Sequence, residues 1–240
     1  MTNPVCLLPG QYDAAIVDLD GTMVDTLGDF VVALNLMLTE LWPQQFSGLT
    51  LAAATVGSMV GKGSENLVKS VLNHVQTQSE RAHDAIDLSA NYDQALASYQ
   101  RHYAAVNGLH STLYPGVLEG LRALQDSGLR LVCLTNKPLA FALPLLKLKG
   151  LDGFFSEVFG GDSFERKKPD PLPLQKACEF LGTLPGRTLM IGDSSNDARA
   201  ARAAGCPVLL VTYGYNHGEP VRSVDADGFV DSLAGLAGRR

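Results

Sequence analysis

Cysteine is scarce in this 240-residue chain: Cys6, Cys133, Cys178 and Cys206 stand far apart, with no C-x-x-C pair and no histidine at ligand spacing. That pattern excludes a disulfide scaffold and a thiolate zinc site, and predicts reduced, mostly buried thiols in a cytoplasmic protein. The five histidines sit singly at 74, 83, 102, 110 and 217, and no nucleophile elbow precedes any of them. A serine–histidine–aspartate mechanism is therefore disfavoured. Positive charge is also in short supply, with a net charge of −6 and a pI near 5.3, so nucleic acid is not the expected partner. No apolar run approaches membrane-spanning length, and MTNPVCLLPG has no basic region and breaks at two prolines, so neither membrane anchor nor signal peptide is expected.

What the chain does have is three aspartates in VDLDGTMVDT (residues 17–26), directly after the apolar run Ala14–Val17. A strand buried on both faces of a parallel sheet reads as such a run, so Asp18 and Asp20 fall where the strand leaves the core. Two positions apart on an extended chain, they project to the same side, and Gly21 turns the backbone just beyond. Like charges so placed require a neutralising cation, or a proton on one carboxyl that makes it available as an acid. A helix cap or Asx turn accounts for one aspartate and poorly for two. A calcium-binding helix–loop–helix is a weaker rival, because the other ligands and the closing Glu are missing.

After residue 110 the text alternates strand and helix. LRLVCLT (129–135), EVFGG (157–161), TLMIGD (188–193) and PVLLVTYG (207–214) are apolar runs separated by helical patterns, among them 117–127 and 195–204, which stop at Gly128 and Gly205. The class is α/β, with a doubly wound, parallel, Rossmann-like sheet. Pro144 inside ALPLL is expected to kink or delay its helix. Residues 28–108 differ: Phe30, Leu34, Leu38 and Leu41, then Leu67, Val71 and Val75, then Tyr92, Leu96, Tyr99 and Tyr103 form helical stripes without a convincing strand. The expected organisation is a core of residues 1–27 and 109–240 with a helical cap, 28–108, inserted after the first strand. The stripes are read as packing between cap helices.

In an open α/β sheet the site lies beyond the carboxyl ends of the strands, so Thr135, Asn136 and Lys137, then Asp193 to Asp197, and Lys168 of RKKPDP are expected to converge on Asp18 and Asp20. Alone, Thr135 and Asn136 suit a helix cap, Lys168 a solvated lysine and Asp197 a first-turn helix acid. The stretch GSMVGKGS (57–64) departs from a P-loop, with three residues between Gly57 and Gly61 and Gly63 where a hydroxyl is required. The remaining set is a carboxylate cluster suited to Mg²⁺, a hydroxyl–amide pair and a lysine, the parts for phosphoryl transfer.

DLDGTMVDT, LTNKP, KKPDP and IGDSSNDARAARAAG resemble, in order, the four motifs of the haloacid dehalogenase superfamily of aspartate-nucleophile phosphatases. The second aspartate is similar to the phosphatase branch, since the dehalogenases lack it. YPGV, MVGKGSENLV, GGDSFERKKPDP and CPVLLVTYGYNHGEP extend the resemblance to bacterial phosphatases of 2-phosphoglycolate over nearly the whole chain. It implies Asp18 as nucleophile, Asp20 as acid and base, Thr135 and Asn136 as donors to phosphoryl oxygens, and Lys168 as the offsetting charge. It further implies Mg²⁺ held by Asp18, Asp20 through its backbone carbonyl, and Asp193, with Asp197 in support. Lys168 is preferred to Arg166 and Lys167 only for its place before Pro169 in the matching motif.

Selection of the small-molecule phosphate ester then falls to the cap, where Lys62, Gly63 and Ser64 are candidates for reading a carboxylate, against the alternative of a plain interhelical turn. Asp25 is expected at the hinge or helix start, and His217 in a surface turn. Another phosphatase or a phosphomutase on the same scaffold stays open, as does a silent binding protein, and either a monomer or a homodimer is compatible.

Overall fold

The computed structural model describes residues 10–46, 48, 50–81 and 91–236; Cys6, His83 and the N-terminal stretch to Pro9 lie outside the described residues. Strand β1 is Ala14–Val17, and every one of its residues is buried. Val24–Asp25 forms the short β2, followed by helices α1 (Leu27–Leu41), α2 (Pro43–Phe46), α3 (Ala53–Gly57), α4 (Ser64–Arg81) and α5 (Tyr92–Val106). The chain returns through β3 (Thr112–Leu113) and runs through α6 (Val117–Asp126), β4 (Arg130–Leu134), α7 (Leu139–Leu148), β5 (Glu157–Phe159) and α8 (Leu172–Leu181). It closes with β6 (Thr188–Gly192), α9 (Ser195–Ala204), β7 (Val208–Val211) and β8 (Gly228–Val230).

Six strands form one sheet in the order β5-β4-β1-β6-β7-β8, and each neighbouring pair is parallel. Alternation along β1 divides the core into two layers. Ala15 and Val17 pack with Leu131, Cys133, Leu189 and Ile191 on the face covered by α6 and α7, while Ala14 and Ile16 pack with Val132, Leu134 and Met190 beneath α8 and α9. Burying each large aliphatic side chain contributes about 1.5–3 kcal/mol. Because β1 is sandwiched between β4 and β6, the chain leaves it toward opposite edges of the sheet, and the crevice at that switch point opens over Asp18.

The helices α1 to α5 have an apolar cluster of their own. Phe30, Leu34 and Leu38 of α1 meet Tyr99 and Tyr103 of α5, and Leu67, Val71 and Val75 of α4 complete the layer. The two connections to the sheet are held side by side by an antiparallel β2–β3 pair, Val24 opposite Leu113 and Asp25 opposite Thr112. The fully buried Asp29 carboxylate reinforces this, accepting the backbone N–H groups of Gly108 (2.8 Å) and His110 (2.7 Å).

Three local features depart from the sequence expectations. Strand β8 was not anticipated, because three residues among DADGFVDS are too few to show a period. The β2–β3 pair is shorter still. Helix α7 runs through Pro144 without a break, and Pro144 lies on the exposed face, where the lost hydrogen bond is least costly.

Candidate active site

The carboxyl ends of β1, β4 and β6 deliver their polar residues to one point. Asp18 follows β1 directly, its backbone N–H donating to Ile191 O at 2.9 Å, which fixes it beside β6. Gly21 then turns the chain at φ +84°, and a Cβ there would lie 2.1 Å from Asp193 Oδ2, so only glycine lets this backbone pass the second carboxylate. Asp193 follows β6 directly, and its Oδ2 accepts the backbone N–H of Tyr215 at 2.7 Å.

Lys168 is the buried cation of the group. Its ammonium donates to Asp18 Oδ1 at 2.8 Å, Asp197 Oδ1 at 2.7 Å and the Leu134 carbonyl at 2.8 Å, so all three donors are used. Burial opposes its charge, but Asp18 and Asp197 outweigh that and raise its pKa. Asp197 spends its other oxygen, Oδ2, on the N–H groups of Asp193 and Ser194 and on Ser194 Oγ, closing a capping box at the start of α9. Asp197 thus sits in the first turn of α9 and pairs with Lys168 through its other oxygen, Oδ1.

Ligand oxygens of Asp18, Asp193 and Asp197 lie within 4.8 Å of one another, all buried. Three carboxylates face one ammonium. Burial, then the charge of Asp197, pushes the Asp18 carboxyl up to about 7 in spite of Lys168. Asp193 is raised well above the usual carboxylate range, by burial and then by Asp197 and Asp18. Such an uncompensated all-oxygen donor set fits a hard divalent cation.

Asp20 lies apart from this cluster. Its carboxylate accepts Lys137 Nζ at 2.8 and 3.0 Å and Thr26 Oγ1 at 2.8 Å. Thr135 is buried, and its Oγ1 accepts the backbone N–H of Lys137 at 3.1 Å, leaving the hydroxyl proton for a ligand. The Asn136 amide nitrogen donates to Lys168 O at 2.8 Å and to Gly61 O at 3.1 Å, so in this geometry it ties the core to the cap. Asn196 Nδ2 donates to the same Gly61 carbonyl at 3.1 Å.

Gly61, at φ +109°, packs so closely on His217 that a Cβ would lie 2.8 Å from the imidazole. His217 does sit in a turn, Asn216–Gly218, but not a freely exposed one. It is half-buried against the cap loop, with its pKa lowered by burial and by the nearby Lys62. Gly63 and Ser64 line the cavity between core and cap, whereas Lys62 is exposed and outside that lining. Asp25 Oδ1 accepts the N–H of Leu27 at 3.2 Å and the Tyr215 hydroxyl at 2.8 Å, at the entry to α1.

Lys137, Tyr215 and Asn196 carry site contacts for which the sequence reading assigned no role. Their partners are 117, 190 and 135 positions away, so no local spacing could reveal them.

Comparison with known proteins gives a consistent result. The family model for haloacid dehalogenase-like hydrolases matches residues 12–205. A phosphoglycolate phosphatase of Thiobacillus denitrificans is 45% identical over 229 residues, 95% of this chain and 96% of its own length. One from Nitrosospira multiformis is 44% identical, covering 94% of each chain. A crystal structure of a predicted phosphoglycolate phosphatase from Haemophilus somnus superposes with a TM-score of 0.85 at 31% identity, over 94% of this chain and 96% of that one.

Proposed function

The chain belongs to the haloacid dehalogenase-like hydrolases, and on that premise we propose that it hydrolyses 2-phosphoglycolate to glycolate and phosphate. The observation that carries the chemistry is the buried Asp18–Lys168–Asp197 arrangement with Asp193 beside it, under a lid of helices. The substrate follows from the relatives, matched over nearly their full length.

In this reading the Asp18 carboxylate attacks phosphorus and forms an aspartyl-phosphate while the ester P–O bond breaks. Asp20 gives its proton to the departing alkoxide oxygen, then takes one from the water that attacks the aspartyl-phosphate, releasing phosphate and restoring Asp18. Thr135 donates its hydroxyl proton to a phosphoryl oxygen, and Lys168 offsets the negative charge beside Asp18. Mg²⁺ held by Asp18, Asp193 and the backbone carbonyl of Asp20 would supply further neutralisation of the phosphoryl oxygens. Asp197 serves by holding Lys168 and the 193–194 backbone in place. A cytoplasmic setting suits the buried free thiols of Cys133, Cys178 and Cys206, since Sγ of Cys178 and Cys206 lie 3.8 Å apart without a bond.

A panel of phosphate esters ranked by kcat/KM tests the assignment. 2-Phosphoglycolate should lead p-nitrophenyl phosphate and sugar phosphates, and a sugar phosphate at the head would overturn the substrate.

Metal affinity gives a separate expectation. Asp18 and Asp193 hold protons more tightly than ordinary carboxyls, so a cation must displace them. Mg²⁺ affinity should rise as pH climbs through about 7, where Asp18 ionises. Calorimetric titration in buffers of different ionisation enthalpy should show more protons released per Mg²⁺ at pH 6 than at pH 8. Equal release at both would separate these carboxyls from the metal.

A further inference from the structure

Resting on the phosphoglycolate reading, we propose that Lys137, together with the Tyr103 hydroxyl, forms the subsite that receives the substrate's carboxylate, and so determines which phosphate esters are selected. The core motifs handle only the phosphoryl group, so the glycolate end needs a cation elsewhere in the cavity.

Four lysines surround the cavity, and three are unsuited. Lys168 has all three donors committed. Lys167 pairs with Glu65 of α4 at 2.8 Å near the surface. Lys62 is exposed and does not line the cavity. Lys137 lines it, and its side chain is 2% exposed. Two of its contacts go to the oxygens of Asp20, and its third donor meets no acceptor among the described residues.

The surroundings of Lys137 are those of an anion site. Its ammonium lies 4.7 Å from the Phe30 ring centroid and 4.9 Å from that of Tyr103, which hold the cation without consuming its donors. Tyr103 is 1% exposed, lines the same cavity, and its buried hydroxyl has no hydrogen-bond partner. A buried orphan hydroxyl calls for an explanation, and a carboxylate oxygen accepting from it supplies one. The cavity is small, about 40 Å³, and Val60 and Leu67 add apolar walls, so an ion pair formed there is poorly screened. Lys137 also lies two residues after Thr135, the donor to the phosphoryl group in this reading, which places the two recognition functions on one loop. An ester lacking the carboxylate leaves both donors buried and unpaired, and that penalty is the source of discrimination.

The test compares two non-hydrolysable ligands of the Mg²⁺-loaded enzyme, by competitive inhibition and by calorimetry. 3-Phosphonopropionate replaces the ester oxygen of 2-phosphoglycolate with a methylene, and propylphosphonate lacks the carboxylate. The wild type should prefer the first. Lys137→Met should cut that preference roughly 10- to 100-fold, as loss of a charged hydrogen bond does. Tyr103→Phe, which keeps the packing, should cut it roughly 2- to 10-fold, and Lys137→Arg should restore part of what methionine loses.

Equal weakening of both ligands in Lys137→Met would show that the lysine only positions Asp20, and the proposal falls. An unchanged preference in Tyr103→Phe removes the hydroxyl from it, and decides the matter against the subsite if the methionine variant does not fold. Should Lys62→Ala abolish the preference while Lys137→Met keeps it, the cap loop reads the carboxylate instead. The ester panel separates the two levels: a wild type that hydrolyses 2-phosphoglycolate best with a Lys137-independent preference sinks only this inference. One that prefers 3-phosphonopropionate through Lys137 but hydrolyses another carboxylated ester faster sinks only the named substrate.

Discussion

Asp18→Asn is expected to lower turnover of 2-phosphoglycolate by at least about 10⁴-fold and to eliminate the phosphoenzyme, because an amide neither attacks phosphorus nor replaces a carboxylate at the end of β1. The fold should survive. Burial raises the wild-type Asp18 carboxyl to about 7, so its ionised form destabilises the metal-free protein. The sign follows from proton binding: between about pH 4 and pH 7 the folded state binds more protons at this group than the unfolded chain, so stability declines across that window as pH rises. Removing the charge removes that decline. The metal-free variant at pH 8 should therefore melt no lower than wild type, while Lys168 keeps Asp197 as its partner. Rapid-quench trapping of labelled phosphoenzyme together with thermal melts makes the check. Near-native turnover would remove Asp18 from the role of nucleophile, and a markedly lower melt would overturn the account of its burial.

Asp20→Asn should cost about 10²–10⁴ in rate, the usual worth of a positioned acid and base. Asp20 stands outside the Asp18–Asp193–Asp197 group and is held by Lys137 and Thr26, so the amide retains the shape of the site while losing the transferable proton. The loss should depend on the leaving group. Glycolate leaves as a basic alkoxide and needs the proton, whereas p-nitrophenolate leaves without it. Single-turnover rates of phosphoenzyme formation should then fall much further for 2-phosphoglycolate than for p-nitrophenyl phosphate. Hydrolysis of the intermediate should slow for both, since the same group must activate water. An equal loss in the first step on both substrates would mean that Asp20 works by placement and not by proton transfer.

Much of the architecture could be read along the chain because it rests on short-range pattern. The all-apolar run Ala14–Val17, the stripe of Val117, Leu121 and Leu124, and the glycine stops at 128 and 205 each report burial through a local period. The strand exits at Asp18, Thr135 and Asp193 were visible for the same reason, since a charge or hydroxyl directly after a buried run marks where the chain leaves the core. The convergence of those exits follows from the rule for parallel sheets, and the Asp18, Asp193 and Asp197 carboxylates do meet.

Tertiary structure alone decided how the polar groups are shared. The sequence brings Lys137 to a strand exit expected to converge on Asp18 and Asp20, but does not show the pairing of its ammonium with the Asp20 carboxylate, 117 positions away, beside two aromatic rings of the cap. It places Tyr99 and Tyr103 on a helical stripe, which is correct as packing, yet an orphan hydroxyl exists only once α1, α4 and α5 close around it. Asn136 stands at a strand exit, and only the packed structure shows its amide donating to Gly61 of the cap. Lys62 reads as a cavity cation until the loop turns it to solvent. The physical reason is common to all four. Hydrophobic periodicity is set by a residue's own element, whereas a hydrogen bond or ion pair needs donor and acceptor within about 3 Å. Which distant groups come that close is fixed only when the cap layer and the sheet pack together.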